Sequence, residues 1–305
     1  MILNEFIHLV NHLVEYSLEA QHLMSQLVQR YANKLYRRQN MKYKYIFLIV
    51  FIILGGNVIP SYSQESREVR KTIEINPDGR LFIDTYKGSI TIGTWDKPDV
   101  SITAVIEADG SGRREKEKVR DTEIRIRSTS DGVEIKSDYD DVEHHGFSFF
   151  GLFGDESGIM PFVHYTISMP STARLKIKDY KSDTKIANLN SSIKLETYKG
   201  TVVINGFTGQ INIETYKGDI KVDYAKYSDE SRFETYKGKI ELTLPRDAGF
   251  KLDADIGRRA DFDSDFEINI KHKSRDEEYL RANVNGGGQL LRISTEKGDI
   301  RVKSK

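Results

Sequence analysis

Three observations predict an all-β, solenoid-like fold for most of this 305-residue chain. Apolar and polar residues alternate with period two from Val69 onward, as in half-buried strands. The phrase Thr-Tyr-Lys-Gly is spelled at residues 85–88, 197–200, 215–218 and 235–238. The tyrosines Tyr180, Tyr198, Tyr216 and Tyr236 follow one another at spacings of 18, 18 and 20 residues. A fixed period near 20 residues marks a stacked repeat, in which each unit buries its apolar side against the next.

The elements follow in chain order. In residues 1–40, Leu3, Phe6, Ile7, Val10, Leu13 and Val14 fall at helical spacing, which predicts an amphipathic helix. Residues 41–63 have the layout of a signal peptide. Met41 is a second candidate start, Lys42 and Lys44 give a positive beginning, and Tyr45–Leu54 is unbroken and apolar. Gly55, Gly56 and Pro60 interrupt that run, and Ser61-Tyr62-Ser63 offers a cleavage site. The expectation is export across the cytoplasmic membrane, with residues 1–40 an over-extended start. In the alternative, basic residues from Arg30 to Lys44 hold the N-terminus inside, and residues 45–59 remain as an uncleaved membrane anchor. Either way residues 64–305 form the β-repeat domain outside that membrane, periplasmic, surface-held or secreted.

Strands are predicted at 72–75, 81–85, 89–92, 100–108, 122–128, 132–137, 163–169 and 174–180, separated by Asp, Gly, Asn, Ser and Pro. The charged run Gly112–Arg120 reads as a solvated loop or cap rather than a helix. After Pro170 each rung holds two short strands around Lys-Gly. Ile211, Ile213, Thr215, Ile220 and Val222 share the buried face, and Asn212, Glu214 and Tyr216 the outer one. The same holds for Ile193, Leu195, Thr197, Val202 and Ile204, and for Phe233, Thr235, Ile240 and Leu242. Residues 252–257 fit the next step, with Ile256 at the lysine position. Residues 293–302 close the series three steps on, with Glu296 in place of tyrosine. Two packings satisfy the pattern. A parallel β-solenoid stacks like on like. An antiparallel meander or sandwich would use Lys-Gly as a hairpin turn, for which it is a weak signal.

Composition narrows the function. Lys plus Arg and Asp plus Glu balance at 46 each, so no basic face argues for nucleic acid. The absence of cysteine excludes disulfides, thiolate metal sites and a cysteine nucleophile. No serine-nucleophile elbow, zinc-protease motif or phosphate-cradling loop is present, so the chain reads as a non-enzyme that uses no cofactor and no metal. The candidate site is the outward ladder of Glu196, Tyr198, Lys199, Glu214, Tyr216, Lys217, Glu234, Tyr236 and Lys237. Stacked in register, these residues would present an aromatic column between acidic and basic ones, suited to sugar rings or a partner protein. The same residues also suit a purely structural role, since Tyr and Thr favour strands and the charges offset one another.

Other stretches carry less. The run Gly146–Gly158, with Phe147, Phe149, Phe150, Leu152 and Phe153, is expected to fold back and plug one end of the solenoid. His144 and His145 in the acidic run Asp138–Gly146 alternate faces on a strand, so a solvated turn is expected rather than a metal site. Residues 261–267 hint at a calcium loop. Phe266 stands where the loop needs glycine and His272 where it needs glutamate, so an edge strand is expected. Polysaccharide-cleaving β-helices use carboxylate and basic clusters in a cleft, and Asp179, Asp183, Asp219 and Lys221 could lie near one another, but the exterior of a solenoid always carries such charges.

The rungs of the type Glu-Thr-Tyr-Lys-Gly-Asp-Ile-Lys-Val, the ending Asn285–Val302 and the segment Tyr165–Pro170 resemble the bacterial putative-adhesin family of β-strand-repeat proteins. The resemblance covers roughly residues 69–305. It implies a right-handed β-helix-like fold at the cell envelope, and no catalytic residues. The expected function is that of a surface-binding module for a glycan or an envelope protein. A structural scaffold is the alternative, and a glycan-processing enzyme the third reading.

Overall fold

The computed structural model describes residues 65–139, 160–273 and 279–305. The amphipathic helix, the leader and its cleavage site, and the apolar loop Gly146–Gly158 lie outside the described residues, as do His144 and His145. The strands are β1 (Ser66–Glu74), β2 (Arg80–Asp84), β3 (Lys87–Trp95), β4 (Asp99–Glu107), β5 (Glu123–Thr129), β6 (Gly132–Asp138) and β7 (Phe162–Pro170). Then come β8 (Arg174–Ala187), β9 (Ile193–Lys199), β10 (Val202–Phe207), β11 (Ile211–Lys217), β12 (Ile220–Tyr224), β13 (Ser231–Lys237) and β14 (Ile240–Leu244). The last are β15 (Phe250–Arg259), β16 (Phe262–Ser264), β17 (Asn269–Lys273), β18 (Tyr279–Val284), β19 (Gln289–Lys297) and β20 (Ile300–Ser304). The fold is mostly β, one curled, solenoid-like sheet.

Pairing between rungs is parallel and in register. Ile193, Ile211 and Ser231 align, as do Thr197, Thr215 and Thr235. The second legs align in the same way, Val202 with Ile220 and Ile220 with Ile240. Lys-Gly is therefore a bend within one coil, not the turn of a hairpin. The alternation places apolar residues inside, where Leu195, Ile204, Ile213, Val222, Phe233 and Leu242 are all buried. Stacked coils give most inward side chains an identical or similar neighbour above and below, and the core is one continuous cluster dominated by Ile, Leu, Val and Phe.

Coil order departs from chain order at both ends. The coil of β2 and β3 packs directly on β8, with Leu81 beside Leu175 and Lys87 beside Lys181. At the other end, β19 and β20 slot in beside β13 and β14, pairing Thr235 with Thr295 and Ile240 with Ile300. β15 and β16 lie beyond them. Residues 252–257 are thus not the step after Tyr236; residues 291–297 are. The reason is side-chain likeness. Thr295 and Lys297 match the bend of the preceding rung, whereas β15 brings Ile256 to the threonine position.

Both ends of the stack are covered by antiparallel strands. β4 pairs with β7 and β1 with β4, while β5 pairs with β6. β18 pairs with β15 and β17 with β18. This blunts the open parallel edges on which another chain would grow. The edge strand expected at 261–267 is broken, since β16 pairs with β20 while Phe266 turns inward, edge-on to Phe250 at 5.5 Å. Residues 113–121 form an α-helix, α1 (Arg113–Asp121), where a loop was expected. The pair Arg113–Glu117 at 3.0 Å and one buried anchor, Val119, stabilise it despite its charge.

Candidate functional site

The bend of each coil builds the candidate surface. A glycine follows each lysine because the coils approach too closely for a side chain. A Cβ on Gly218 would overlap the carbonyl oxygen of Gly200, and one on Gly238 that of Gly218. Beneath the bend sits a column of buried threonines, Thr197, Thr215, Thr235 and Thr295. Thr197 Oγ1 donates to Asp179 at 2.8 Å, and Thr235 and Thr295 reach the carbonyls of Gly218 and Gly238 at 3.4 Å.

On the outer face the tyrosines form a continuous stack. Tyr180, Tyr198, Tyr216 and Tyr236 have successive ring centroids 4.9 Å apart and interplanar angles of 6°, 8° and 3°. Tyr86 extends the stack on Tyr180 at 4.8 Å. Sequence periodicity missed Tyr86, which lies far upstream in the chain, although the shared phrase at 85–88 was its signal. Tyr139 closes that end edge-on at 6.2 Å, its phenol pushed up to about 12 by burial. Lys297 closes the other end, its Nζ 4.8 Å over the Tyr236 ring and donating to the Tyr236 hydroxyl at 2.9 Å. The consequence is specific. Within the stack each ring face is covered by the next ring, so a sugar cannot lie flat on it. What reaches solvent is a row of ring edges and hydroxyls, with Tyr180 41 % and Tyr216 40 % exposed.

Two charged columns flank the rings. Glu196, Glu214 and Glu234 align on neighbouring strands. Lys194 pairs with Glu196 at 2.8 Å and Arg232 with Glu234 at 3.0 Å, and the Lys194 ammonium holds the Glu196 carboxyl below its ordinary value. Glu214 stands between them, accepting from the amide of Asn212 at 3.4 Å and facing the charges of Lys194 and Arg232. Lys199, Lys217 and Lys237 align on the other side, at the corner. Lys199 and Lys217 each lie 5.4 Å over their own tyrosine ring. Between glutamates and tyrosines runs an open groove of about 670 Å³. Of the nine sequence-predicted site residues, the glutamates and tyrosines therefore line the groove and the three lysines run along the adjoining corner.

The structure does not assemble the alternative cleft. Asp179 is drawn under the bend into the threonine column, where it accepts from the Ser182 amide and hydroxyl at 2.7 and 2.6 Å. Burial raises its carboxyl above the ordinary value, against the pull of Ser182 and Thr197. Asp183 and Asp219 each accept the backbone N–H of the next coil, from Thr201 and Lys239, both at 2.8 Å. Lys221 pairs with Glu241 at 3.2 Å. Each member is committed to a local structural bond.

A family model described as Toastrack DUF4097 matches residues 117–303. The chain belongs to this family. It is the strand-repeat, putative-adhesin grouping of unknown function to which the rung phrase pointed. Among solved structures, this Toastrack chain is similar to a putative cell adhesion protein from Clostridium sporogenes, at 14 % identity and TM-score 0.44, covering 78 % of this chain and 100 % of that one. It is also similar to a putative adhesin from Bacteroides fragilis, at 13 % identity and TM-score 0.37, covering 78 % of this chain and 97 % of that one. No curated protein matches the chain.

Proposed function

We propose that residues 64–305 form an exported, non-enzymatic binding module, delivered by the segment 41–63, that engages a glycan or an envelope protein through the Glu-Tyr-Lys face. The fold behind it is read as a right-handed parallel β-solenoid. The observation that carries the reading is the uncovered groove, walled by the Glu196–Glu214–Glu234 column and the exposed tyrosine edges, repeating once per coil. No described element closes over it.

The mode of binding follows from the stack. Since ring faces are occupied, contact is by hydroxyl and edge, which suits the hydroxyl groups of a polymer laid along the coil axis. The test is the triple variant Tyr198→Phe, Tyr216→Phe, Tyr236→Phe in the full-length protein, assayed against a glycan panel and an envelope extract. Phenylalanine keeps the stack and deletes the hydroxyls. The expected result is loss of capture with an unchanged melting temperature. Capture equal to wild type would assign the ladder to structure alone. That second reading, a scaffold without a dedicated ligand, is favoured by the ring-on-ring geometry, because each stacked pair stabilises its two coils by roughly 0.5–1.5 kcal/mol.

A further inference from the structure

The lysine corner extends well past the three rungs that announce it. Lys87, Lys181, Lys199, Lys217, Lys237, Lys297 and Arg259 occupy one register column, a cation on each successive strand. Lys87 is buried and paired with Asp109 at one end. Among the described residues no carboxylate pairs with Lys181, Lys199, Lys217 or Lys237. Like charges directly opposite on neighbouring strands repel, and here they repeat at the strand spacing of about 4.8 Å. Side by side, such cations condense anions from solution, and a linear polyanion that displaces those small ions gains their release.

We propose that this corner binds an acidic polysaccharide, laid along the coil axis with its anionic groups on the lysine column and its hydroxyls against the tyrosine edges. The inference rests on the binding-face reading above and narrows its ligand. Three features of the surface select this class. The first is repeat length, since one sugar advances a polysaccharide by a distance comparable with one strand spacing. The second is confinement. The Glu196–Glu214–Glu234 column lies on one side of the corner; on the other Asp183, Asp219 and Asp299 alternate with Thr201 and Lys239, and Asp183 and Asp219 are pinned to backbone amides. A polyanion is thereby held between the lysine line and the tyrosine edges and turned away from the glutamate wall of the groove. The third is the stacked ring faces. Single-stranded nucleic acid binds through bases stacked on free aromatic faces, and the tyrosines inside this stack have none to offer.

The experiment compares full-length wild type with the triple variant Lys199→Gln, Lys217→Gln, Lys237→Gln and with the matching Lys→Arg triple. The probes are polygalacturonate, its fully methyl-esterified form and a single-stranded oligonucleotide, each over a salt series. Expected are binding of polygalacturonate that weakens steeply with salt, a drop of about tenfold or more and a flatter salt dependence in the glutamine variant, and recovery in the arginine variant. Melting temperatures within a few degrees across the set show that the fold is kept. Equal binding by the glutamine variant, equal binding of the neutral ester, or tighter binding of the oligonucleotide overturns the proposal. Neutral-polymer binding that is lost in the Tyr→Phe triple overturns the acidic preference while leaving the binding-face reading intact. Absence of binding to every polymer by wild type and both lysine variants overturns the acidic-polysaccharide proposal, and the binding-face reading then stands or falls on the capture of an envelope protein.

Discussion

Replacing Gly218 with alanine tests the central geometric claim, that the coils are stacked so closely at the bend that only glycine fits. A Cβ there would lie well under 3.0 Å from the Gly200 carbonyl oxygen, an approach that real Cβ atoms do not make. The obstacle is backbone, so no side-chain rotation relieves it. Forcing atoms into a packed site costs about 1–3 kcal/mol. The shift also strains two cross-coil hydrogen bonds, Gly218 N–H to Lys237 O at 3.1 Å and Gly200 N–H to Lys217 O at 3.2 Å, each worth about 1 kcal/mol. The sum is about 3–5 kcal/mol, well above the usual cost of a surface substitution. Because stability in a stacked array passes through neighbour interfaces, the transition in a denaturant titration should also broaden, the coils on either side of the break unfolding apart. Gly93→Ala is the control. Nothing lies within 4 Å of a Cβ at Gly93, so its midpoint should move by no more than about 0.5 kcal/mol equivalent. A Gly218→Ala loss below about 1 kcal/mol, or a loss equal to that of Gly93→Ala, would refute the close-stacking argument.

Two further predictions concern pH. Burial raises the Asp179 carboxyl, so folding favours its protonated form. That contribution is fully present below the unfolded value of about 4 and is lost as pH rises through the raised folded value. Asp179→Asn should therefore gain stability relative to wild type between acid and neutral pH, read from denaturation midpoints at several pH values, and a constant difference would count against burial as the cause. Glu241 behaves oppositely. Hydrogen bonds from Lys303 and Lys221 lower its carboxyl to about 2, so its contribution is present above the unfolded carboxylate range and lost as pH falls toward 2. Lys303→Met should move the acid-unfolding midpoint to higher pH, and an unmoved midpoint would show that the pair at 3.0 Å is inert.

The legible part of this fold is whatever one rung decides by itself. Ile211, Ile213 and Thr215 go inside and Glu214 and Tyr216 outside because a strand alternates, and the six glutamates and tyrosines of the ladder are placed on one face by that rule and the repeat alone, while the lysines are placed by the bend. Decisions between rungs were hidden. Nothing local in residues 289–304 says that β19 slips between β13 and β15 and β20 between β14 and β16. The signal is the likeness of Thr295 and Lys297 to the bend above, which acts only once coils are stacked. Tyr86 escaped in the same way, since the shared phrase was visible but the long return of the chain to β8 was not. Asp179 stands where neighbouring coils carry threonine, and in the sequence it reads as one of the charges of a solenoid exterior. Only the Ser182 and Thr197 donors, assembled by the bend, make its burial tolerable.

The tyrosine stack constrains function as firmly as it serves structure. An aromatic row with free faces would invite planar ligands of many kinds. Stacking at 4.9 Å removes those faces and leaves hydroxyls and edges at the same repeat as the backbone. Glutamates on one side and lysines on the other then give the face a polarity across the strands and a constant pattern along the coil axis. A compact ligand would meet one coil's worth of each group and gain little, since an exposed charge contact is weak singly. An extended ligand with a repeat near the strand spacing meets the same set on every coil, and its affinity grows with the number of coils it spans. The ends are marked as well, by Tyr139 edge-on to Tyr86 and by Lys297 over Tyr236. The array has a defined length, and a polymer shorter than the stack should bind in proportion to the coils it covers.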